Sequence, residues 1–161
     1  MPGRFLSAAL LLLAAATPAP AVEDDDHHVA EAGPIRVLHA WARATAGPDG
    51  AAFLEIENRG PADRLVAASS PAARAVAVHG AVLEGGTAAS RALGPLDLPA
   101  GAEFELEPAG VFLKLEGLRG PLREGGELEL ELVFGKAGTA EVRAEIGAAG
   151  ATGHSHAGHG H

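Results

Sequence analysis

The strictest constraint on the fold is a run of alternating glutamate and leucine from Glu127 to Leu132. A β-strand sends successive side chains to opposite faces, so this alternation places three leucines on one face and three glutamates on the other. An α-helix would scatter the same residues around its circumference. The run therefore predicts a strand with one buried face.

Seven further segments between residues 34 and 147 also predict short strands, because they are separated by turns rich in Gly, Pro and Asn. The eight predicted strands are Ile35–Trp41, Ala51–Asn58, Arg64–Ala68, Arg74–His79, Phe104–Glu107, Val111–Glu116, Glu127–Phe134 and Thr139–Ile146. Short strands at this spacing, with no long helical pattern between them, predict an all-β sandwich or barrel.

Residues 1–21 have the pattern of a secretory signal. Arg4 supplies the positive charge, Phe5–Ala16 is an apolar stretch broken once by a serine, and Ala19-Pro20-Ala21 is a small-residue cleavage signature. The apolar stretch is shorter than the roughly 20 helical residues that span a bilayer. We therefore expect cleavage after Ala21, a periplasmic or secreted product, and no membrane insertion of the mature chain.

Two low-complexity segments flank the predicted domain at residues 34–147. Residues 22–33 form an acidic leader that contains His27 and His28, and residues 148–161 form a tail rich in glycine and histidine. Neither segment has a periodic apolar face, so we expect both to be flexible. We expect the domain between them to be a monomer.

Charge and composition exclude several classes of function. The chain has 12 Lys+Arg against 21 Asp+Glu and a net charge of −9, which argues against nucleic-acid binding. It has no cysteine, and its one methionine, Met1, lies in the signal, so the mature chain has no sulfur ligand for a metal. Ser69-Ser70 lies in no nucleophile motif, so we expect no enzymatic activity.

Several strings between residues 34 and 146 resemble the PCu(A)C-type periplasmic copper chaperones. They are Ala40–Thr45 (AWARAT), Asp63–Pro71 (DRLVAASSP), Leu98–Gly101 (LPAG) and Phe134–Gly138 (FGKAG), in the family's order. The resemblance implies a cupredoxin-like Greek-key β-sandwich, which agrees with the strand count. It also implies copper binding and transfer of copper to an oxidase-assembly partner.

The family's Cu(I) motif carries over onto this chain at one position. That motif is a His, a Met eleven positions on, a second His twenty-two beyond it and a Met two further. From His79, those steps reach Ser90, in an expected loop, and then Phe112 and Lys114, which alternation places on the outward face of their strand. Phenylalanine has no donor atom, and a protonated lysine repels a cation. The resemblance thus implies that His79 is retained and the four-ligand Cu(I) site is lost.

Imidazole is concentrated at the two ends of the chain instead. The candidate metal ligands besides His79 are His27, His28, His154, His156, His159 and His161. Imidazole binds Cu(II), Zn(II) and Ni(II), and the affinity order among divalent ions favours copper. The sequence therefore predicts an exported copper-binding, chaperone-like protein that holds metal mainly by its tail, with Cu(II) favoured over Cu(I) and zinc or nickel as alternatives.

Simpler interpretations stay open beside this one. The tail can be only a solubilising segment, and the chain a metal-free family member that binds a protein partner through an exposed Phe112. For His39 a structural role is favoured, and Trp41 and Phe53 are most simply core aromatics.

Overall fold

The computed structural model describes residues 29–153 of the chain. The predicted signal with its cleavage site, the leader histidines His27 and His28, and the tail histidines His154, His156, His159 and His161 lie outside the described residues. The described residues therefore cover the predicted domain, residues 29–33 of the leader and residues 148–153 of the tail.

Residues 29–153 form β-strands and turns without a helix, which confirms the all-β class. The eleven strands of this range are β1 (Val29–Ala32), β2 (Ile35–Arg43), β3 (Asp49–Asn58), β4 (Asp63–Ser69), β5 (Ala73–Glu84), β6 (Thr87–Ala92), β7 (Leu96–Leu98), β8 (Glu103–Leu106), β9 (Val111–Leu118), β10 (Glu127–Phe134) and β11 (Gly138–Gly147). Accordingly, this range holds no helix long and apolar enough to cross a membrane.

Seven of the strands in the described range close into a barrel-like sheet. Their order is β2-β11-β10-β4-β5-β9-β3, and β3 pairs back onto β2. The β11–β2 pair is parallel, whereas the other neighbours in the ring are antiparallel. The four remaining strands attach to this ring: β1 to β2, β6 to β5, β7 to β4 and β8 to β3.

The alternating residues of β10 and β9 line the core as the sequence predicted. The three leucines of Glu127–Leu132 are at most 3% exposed, and the three glutamates face solvent. On β9, Leu113 and Leu115 are fully buried, while Phe112 and Lys114 lie half-buried on the other face. Removing apolar surface from water stabilises the folded state by about 25 cal/mol for each Å². These inward faces are therefore the main source of stability.

All eight predicted strands are present, and three further strands were not predicted. β1 lies in the predicted leader, where Val29–Ala32 pairs with β2, so the sheet begins before the expected boundary at residue 34. β6 is rich in alanine and largely exposed, and β7 has 3 residues, so neither shows an alternation that a sequence reading could detect.

Candidate functional site

The four positions that the copper motif aligned come together in the structure. His79 on β5 pairs with Phe112 on β9, and its Nδ1 atom lies 3.2 Å from the Ser90 hydroxyl oxygen. Lys114 follows two residues along β9 and so shares the face of Phe112. Ser90 was expected in a loop, and this was wrong, because it lies in β6 opposite Ala81. We call His79, Ser90, Phe112 and Lys114 the family-position cluster.

The donor set of this cluster does not fit a Cu(I) site. His79 contributes one imidazole, Ser90 a hard hydroxyl oxygen and Phe112 no donor, whereas Cu(I) prefers thiolate and thioether sulfur. The Lys114 ammonium is partly neutralised by Glu116, with Nζ and Oε1 3.4 Å apart. Burial lowers the pKa of His79 below its ordinary value, and the positive charge of Lys114 lowers it further, against an opposing effect of Glu116. The cluster therefore favours a neutral His79 without gathering metal ligands around it.

Aromatic rings pack against this cluster on the outer face of β3 and β9. The centroid of Phe112 lies 6.2 Å from that of His79 and 6.3 Å from that of Phe53. Phe53 in turn lies 4.4 Å from Trp41. Trp41 and Phe53 are buried, as expected, but they belong to this outer row and not to the core cluster of the barrel. Phe112 is half-buried in this row, so the expectation of an exposed contact residue holds for only part of its ring.

An open hollow of about 420 Å³ lies beside the cluster. Its lining includes Ser90, Phe112 and Lys114, together with Arg43 and, from the start of the tail, Ala149. The Arg43 guanidinium also lies over the Phe53 ring, 5.5 Å from its centroid. Two cationic side chains and one carboxylate, that of Asp49, thus border the hollow, so its charged lining is on balance positive and disfavours a metal cation.

A second region of interest begins at a bulge in β2. Leu38 pairs with Glu55 and Trp41 with Phe53, so His39 and Ala40 together oppose one residue, Leu54. His39 has a φ of 50° and is the non-glycine residue with positive φ in the described chain. Such a conformation is unfavourable for residues with a Cβ, and bulges re-aim side chains near functional sites. The bulge leaves His39 exposed between neighbours that are buried or half-buried.

The side chain of His39 borders a cavity of about 230 Å³ that the tail also reaches. The cavity is lined by His39, Trp41, Leu54, Glu55, Glu105, Leu106, Glu107, Pro108, Thr152 and Gly153. Glu55 and Glu105 are register partners across β3 and β8. We call His39, Glu55, Glu105 and Glu107, with this cavity, the tail-exit pocket.

One hydrogen bond fixes the route of the tail between the two regions. The Arg43 side chain donates from Nε to the carbonyl oxygen of Ala151, at 2.7 Å. Ala149 borders the hollow of the family-position cluster, and two residues past Ala151 the chain lines the tail-exit pocket at Gly153. The described part of the tail therefore leads from the first region to the second.

Neither region forms a complete metal site from described residues alone. Within residues 29–153, no group of three or more His, Asp or Glu side chains could hold a metal ion. Of the predicted metal ligands, His79 is the one that the structure describes, and it lies in the family-position cluster. The sequence reading missed the setting of His39, because nothing in the residues around it signals a positive φ.

Comparison with known proteins identifies the family. Residues 35–146 match the family described as "Putative lipoprotein LpqE-like". The chain is also 30% identical over 118 residues to "Putative lipoprotein Lxx21020" of Leifsonia xyli subsp. xyli, covering 72% of this chain and 71% of that protein. The chain belongs to the LpqE-like family.

Solved structures similar to this LpqE-like chain are PCuAC domains. The apo PCuAC domain from PmoF1 is 31% identical with a TM-score of 0.64, covering 75% of this chain and 99% of that one. Apo-DR1885 from Deinococcus radiodurans is 25% identical with a TM-score of 0.55, covering 87% of this chain and 96% of that one. A copper-bound PCuAC domain from PmoF2 is 24% identical with a TM-score of 0.65, covering 75% and 98%, which shows the fold. The predicted resemblance to the PCu(A)C copper-chaperone family is confirmed for this LpqE-like chain.

Proposed function

We propose that this protein is an exported copper-binding protein of the copper-chaperone type, which holds Cu(II) mainly through its tail histidines. The observation that carries the proposal is that the PCuAC fold is kept while its family-position cluster offers one imidazole beside a cation. Relatives with this fold include a copper-bound PCuAC domain. The four tail histidines, His154, His156, His159 and His161, supply the imidazole that the cluster lacks.

The finer features of the proposal are chemical expectations for this chain. Cu(II) is favoured over Cu(I) because imidazole is the available donor and sulfur is absent, while zinc and nickel bind the same donors more weakly. His27 and His28, beside three aspartates, are a second candidate patch. Metal binding requires neutral imidazole, so it weakens as pH falls through about 6.5. A copper-accepting oxidase-assembly protein is the proposed partner of a monomeric, non-enzymatic chain.

Export and fold subtype belong to the same proposal. The lipoprotein relative supports export, and we propose cleavage after Ala21 with a periplasmic or secreted product. The PCuAC neighbours support a cupredoxin-like Greek-key arrangement of the strands that form the ring. Neither feature is needed for the metal test below.

Titration of the untagged exported chain with Cu(II) tests the proposal. The matched variant replaces all four tail histidines with alanine and leaves residues 29–153 unchanged. We expect the variant to lose at least about a hundredfold in Cu(II) affinity, since several ligands are removed at once. Equal affinity of the two proteins would refute tail binding, and a stronger response to Zn(II) or Ni(II) than to Cu(II) would refute the choice of metal.

A metal-free interaction module is a second candidate, favoured by the open hollow beside the family-position cluster. Arg43 and Lys114 at its border fit an acidic partner surface. Capture of the proposed oxidase-assembly partner by the metal-free chain, lost on Lys114→Glu, would support this candidate. Capture that needs bound copper would support the chaperone instead.

A further inference from the structure

We infer that the hollow beside the family-position cluster binds a carboxylate side chain from an acidic peptide segment of a partner protein. Arg43 holds the carboxylate, Lys114 adds a second positive charge, and Phe112 contacts an aliphatic side chain next to it. The inference rests on the interaction module proposed above and names the chemistry of its partner. It does not depend on bound metal.

The setting of Arg43 is the first observation behind this inference. Two arginines within residues 29–153 are half-buried, Arg36 and Arg43. Arg36 forms ion pairs with the carboxylates of Glu31 and Glu57. Arg43, in contrast, forms no ion pair with a carboxylate of the described range. A charge that is partly removed from water is costly unless it is paired, so this guanidinium suits an anion that residues 29–153 do not supply.

The orientation of the Arg43 guanidinium is the second observation. Its Nε atom donates to the carbonyl oxygen of Ala151, at 2.7 Å, and its Cζ atom lies 5.5 Å from the centroid of the Phe53 ring. These contacts fix one edge and one face of the planar group. The Nη1 and Nη2 atoms carry its remaining N–H groups, which can donate side by side to the two oxygens of a carboxylate. The group is therefore preorganised for a bidentate carboxylate.

The charge balance of the hollow favours a single negative charge on the ligand. Arg43 and Lys114 are positive, and Asp49 adds a negative charge to the lining. The Asp49 carboxylate accepts a hydrogen bond from the Gly117 amide at 3.3 Å, and Lys114 is partly neutralised by Glu116. The positive balance is therefore small. It suits one carboxylate, whereas a doubly charged phosphate would be repelled more strongly by Asp49.

The rest of the lining favours a peptide over a free ion. Phe112 exposes part of its ring, and Ala44, Ala51 and Ala149 add small apolar surfaces. The volume of about 420 Å³ is large enough for a carboxylate side chain together with an aliphatic neighbour. Protein interfaces commonly combine an apolar contact with charged groups that orient the partner. An acidic residue beside an aliphatic one therefore fits the hollow.

The test uses the untagged exported chain without metal and two tripeptides with blocked ends, Leu-Glu-Leu and Leu-Gln-Leu. The peptides have nearly the same size and the same aliphatic groups, and they differ in charge. Binding is measured by NMR from the backbone amide signals of Gly50 and Ser90, which line the hollow. We expect the acidic peptide to bind at least about tenfold more tightly, because charge-assisted hydrogen bonds are about twice as strong as neutral ones.

The informative variant is Arg43→Gln, which removes the charge and the paired donors. Its matched control is Arg143→Gln on the exposed face of β11, which removes the same charge away from the hollow. We expect Arg43→Gln to bind both peptides equally weakly and Arg143→Gln to bind them as the wild type does. Lys114→Met should weaken the acidic peptide only about threefold, since Glu116 already offsets part of the Lys114 charge.

Three results would overturn the inference. The first is equal affinity of the wild type for the two peptides, and the second is a preference for the acidic peptide that persists in Arg43→Gln. The third is an equal response to sodium acetate at the same concentration, which would make the hollow a site for small carboxylates and not for a peptide. The proposed copper function is measured separately by the tail-histidine titration, which uses none of these peptides, so either proposal can fail without the other.

Discussion

The family-position cluster and the tail-exit pocket differ in what the fold and the side chains each provide. In the cluster, the strands bring four positions together as the copper motif requires, but Phe112 and Lys114 cannot ligate a metal. In the pocket, His39 and three glutamates border one cavity, but the described residues form no group that could hold a metal ion. A fold can therefore keep the positions of a site together after its ligand chemistry has gone, and it can gather polar side chains elsewhere without forming a metal site.

The largest expected effect comes from returning sulfur and imidazole to the cluster. In the triple variant Ser90→Met, Phe112→His, Lys114→Met, three donors join His79, and the repelling ammonium is removed. If each donor contributes at least the tenfold typical of supporting groups, Cu(I) affinity rises on the order of a thousandfold. Competition with a Cu(I) chelator measures the gain.

The same triple variant with His79→Ala is the control for this prediction. It should bind Cu(I) more weakly than the triple variant, because one of the four donors is gone. Failure of the triple variant to bind Cu(I) would contradict the claim that the cluster keeps the geometry of a site.

Removal of the Phe112 ring tests whether the family-position cluster now contributes to stability and not to metal binding. The ring is half-buried between His79 and Phe53, so Phe112→Ala should lower the free energy of unfolding by about 2 kcal/mol, less than a fully buried phenylalanine. Urea denaturation measures the change, with the exposed Leu83→Ala as a near-neutral control. A clear loss of Cu(II) affinity in Phe112→Ala would place metal at the cluster instead.

A smaller difference in the free energy of unfolding is expected from the backbone strain at His39. At His39, the glycine variant should be more stable than the alanine variant by about 1 kcal/mol, because a Cβ disfavours positive φ. At Glu129, in the regular strand β10, the order should reverse, since glycine weakens a strand interior. Denaturation midpoints of the four proteins measure both differences. Equal stability of the two His39 variants would contradict the strained bulge.

The smallest expected effect is a titration shift in the cluster. Burial and then the charge of Lys114 lower the pKa of His79, so Lys114→Met should raise that pKa part of the way toward its ordinary value of 6.5. Histidine NMR signals followed against pH measure the shift. A lowered folded-state pKa means that the unfolded chain binds the proton more readily, so His79 reduces stability as pH falls through 6.5. In Lys114→Met this acid-dependent loss should be smaller, and an unchanged loss would contradict the role of the charge.

Patterns in the sequence predicted the fold where side chains alternate and failed where backbone geometry decides. Glu127–Leu132 predicts β10 because one face must be buried, whereas the alanine-rich β6 carries no such signal. The motif spacing from His79 identified residues that converge, although Ser90 was expected in a loop. His39 directly precedes the string Ala40–Thr45, yet its positive φ depends on a bulge between β2 and β3. A bulge is set by how two distant strands pair, which no local pattern records.

The parallel pairing of β11 with β2 has a consequence for how the protein folds. Arg43 and Ala151 are 108 positions apart in the chain, so their contact closes a loop that contains nearly the whole domain. Pairings of such long range are slow steps in the folding of β proteins. An incompletely folded chain therefore lacks the Arg43–Ala151 hydrogen bond, and with it the fixed course of residues 149–153 past the two regions. The order along the tail is thus a late product of long-range sheet assembly and not of local sequence.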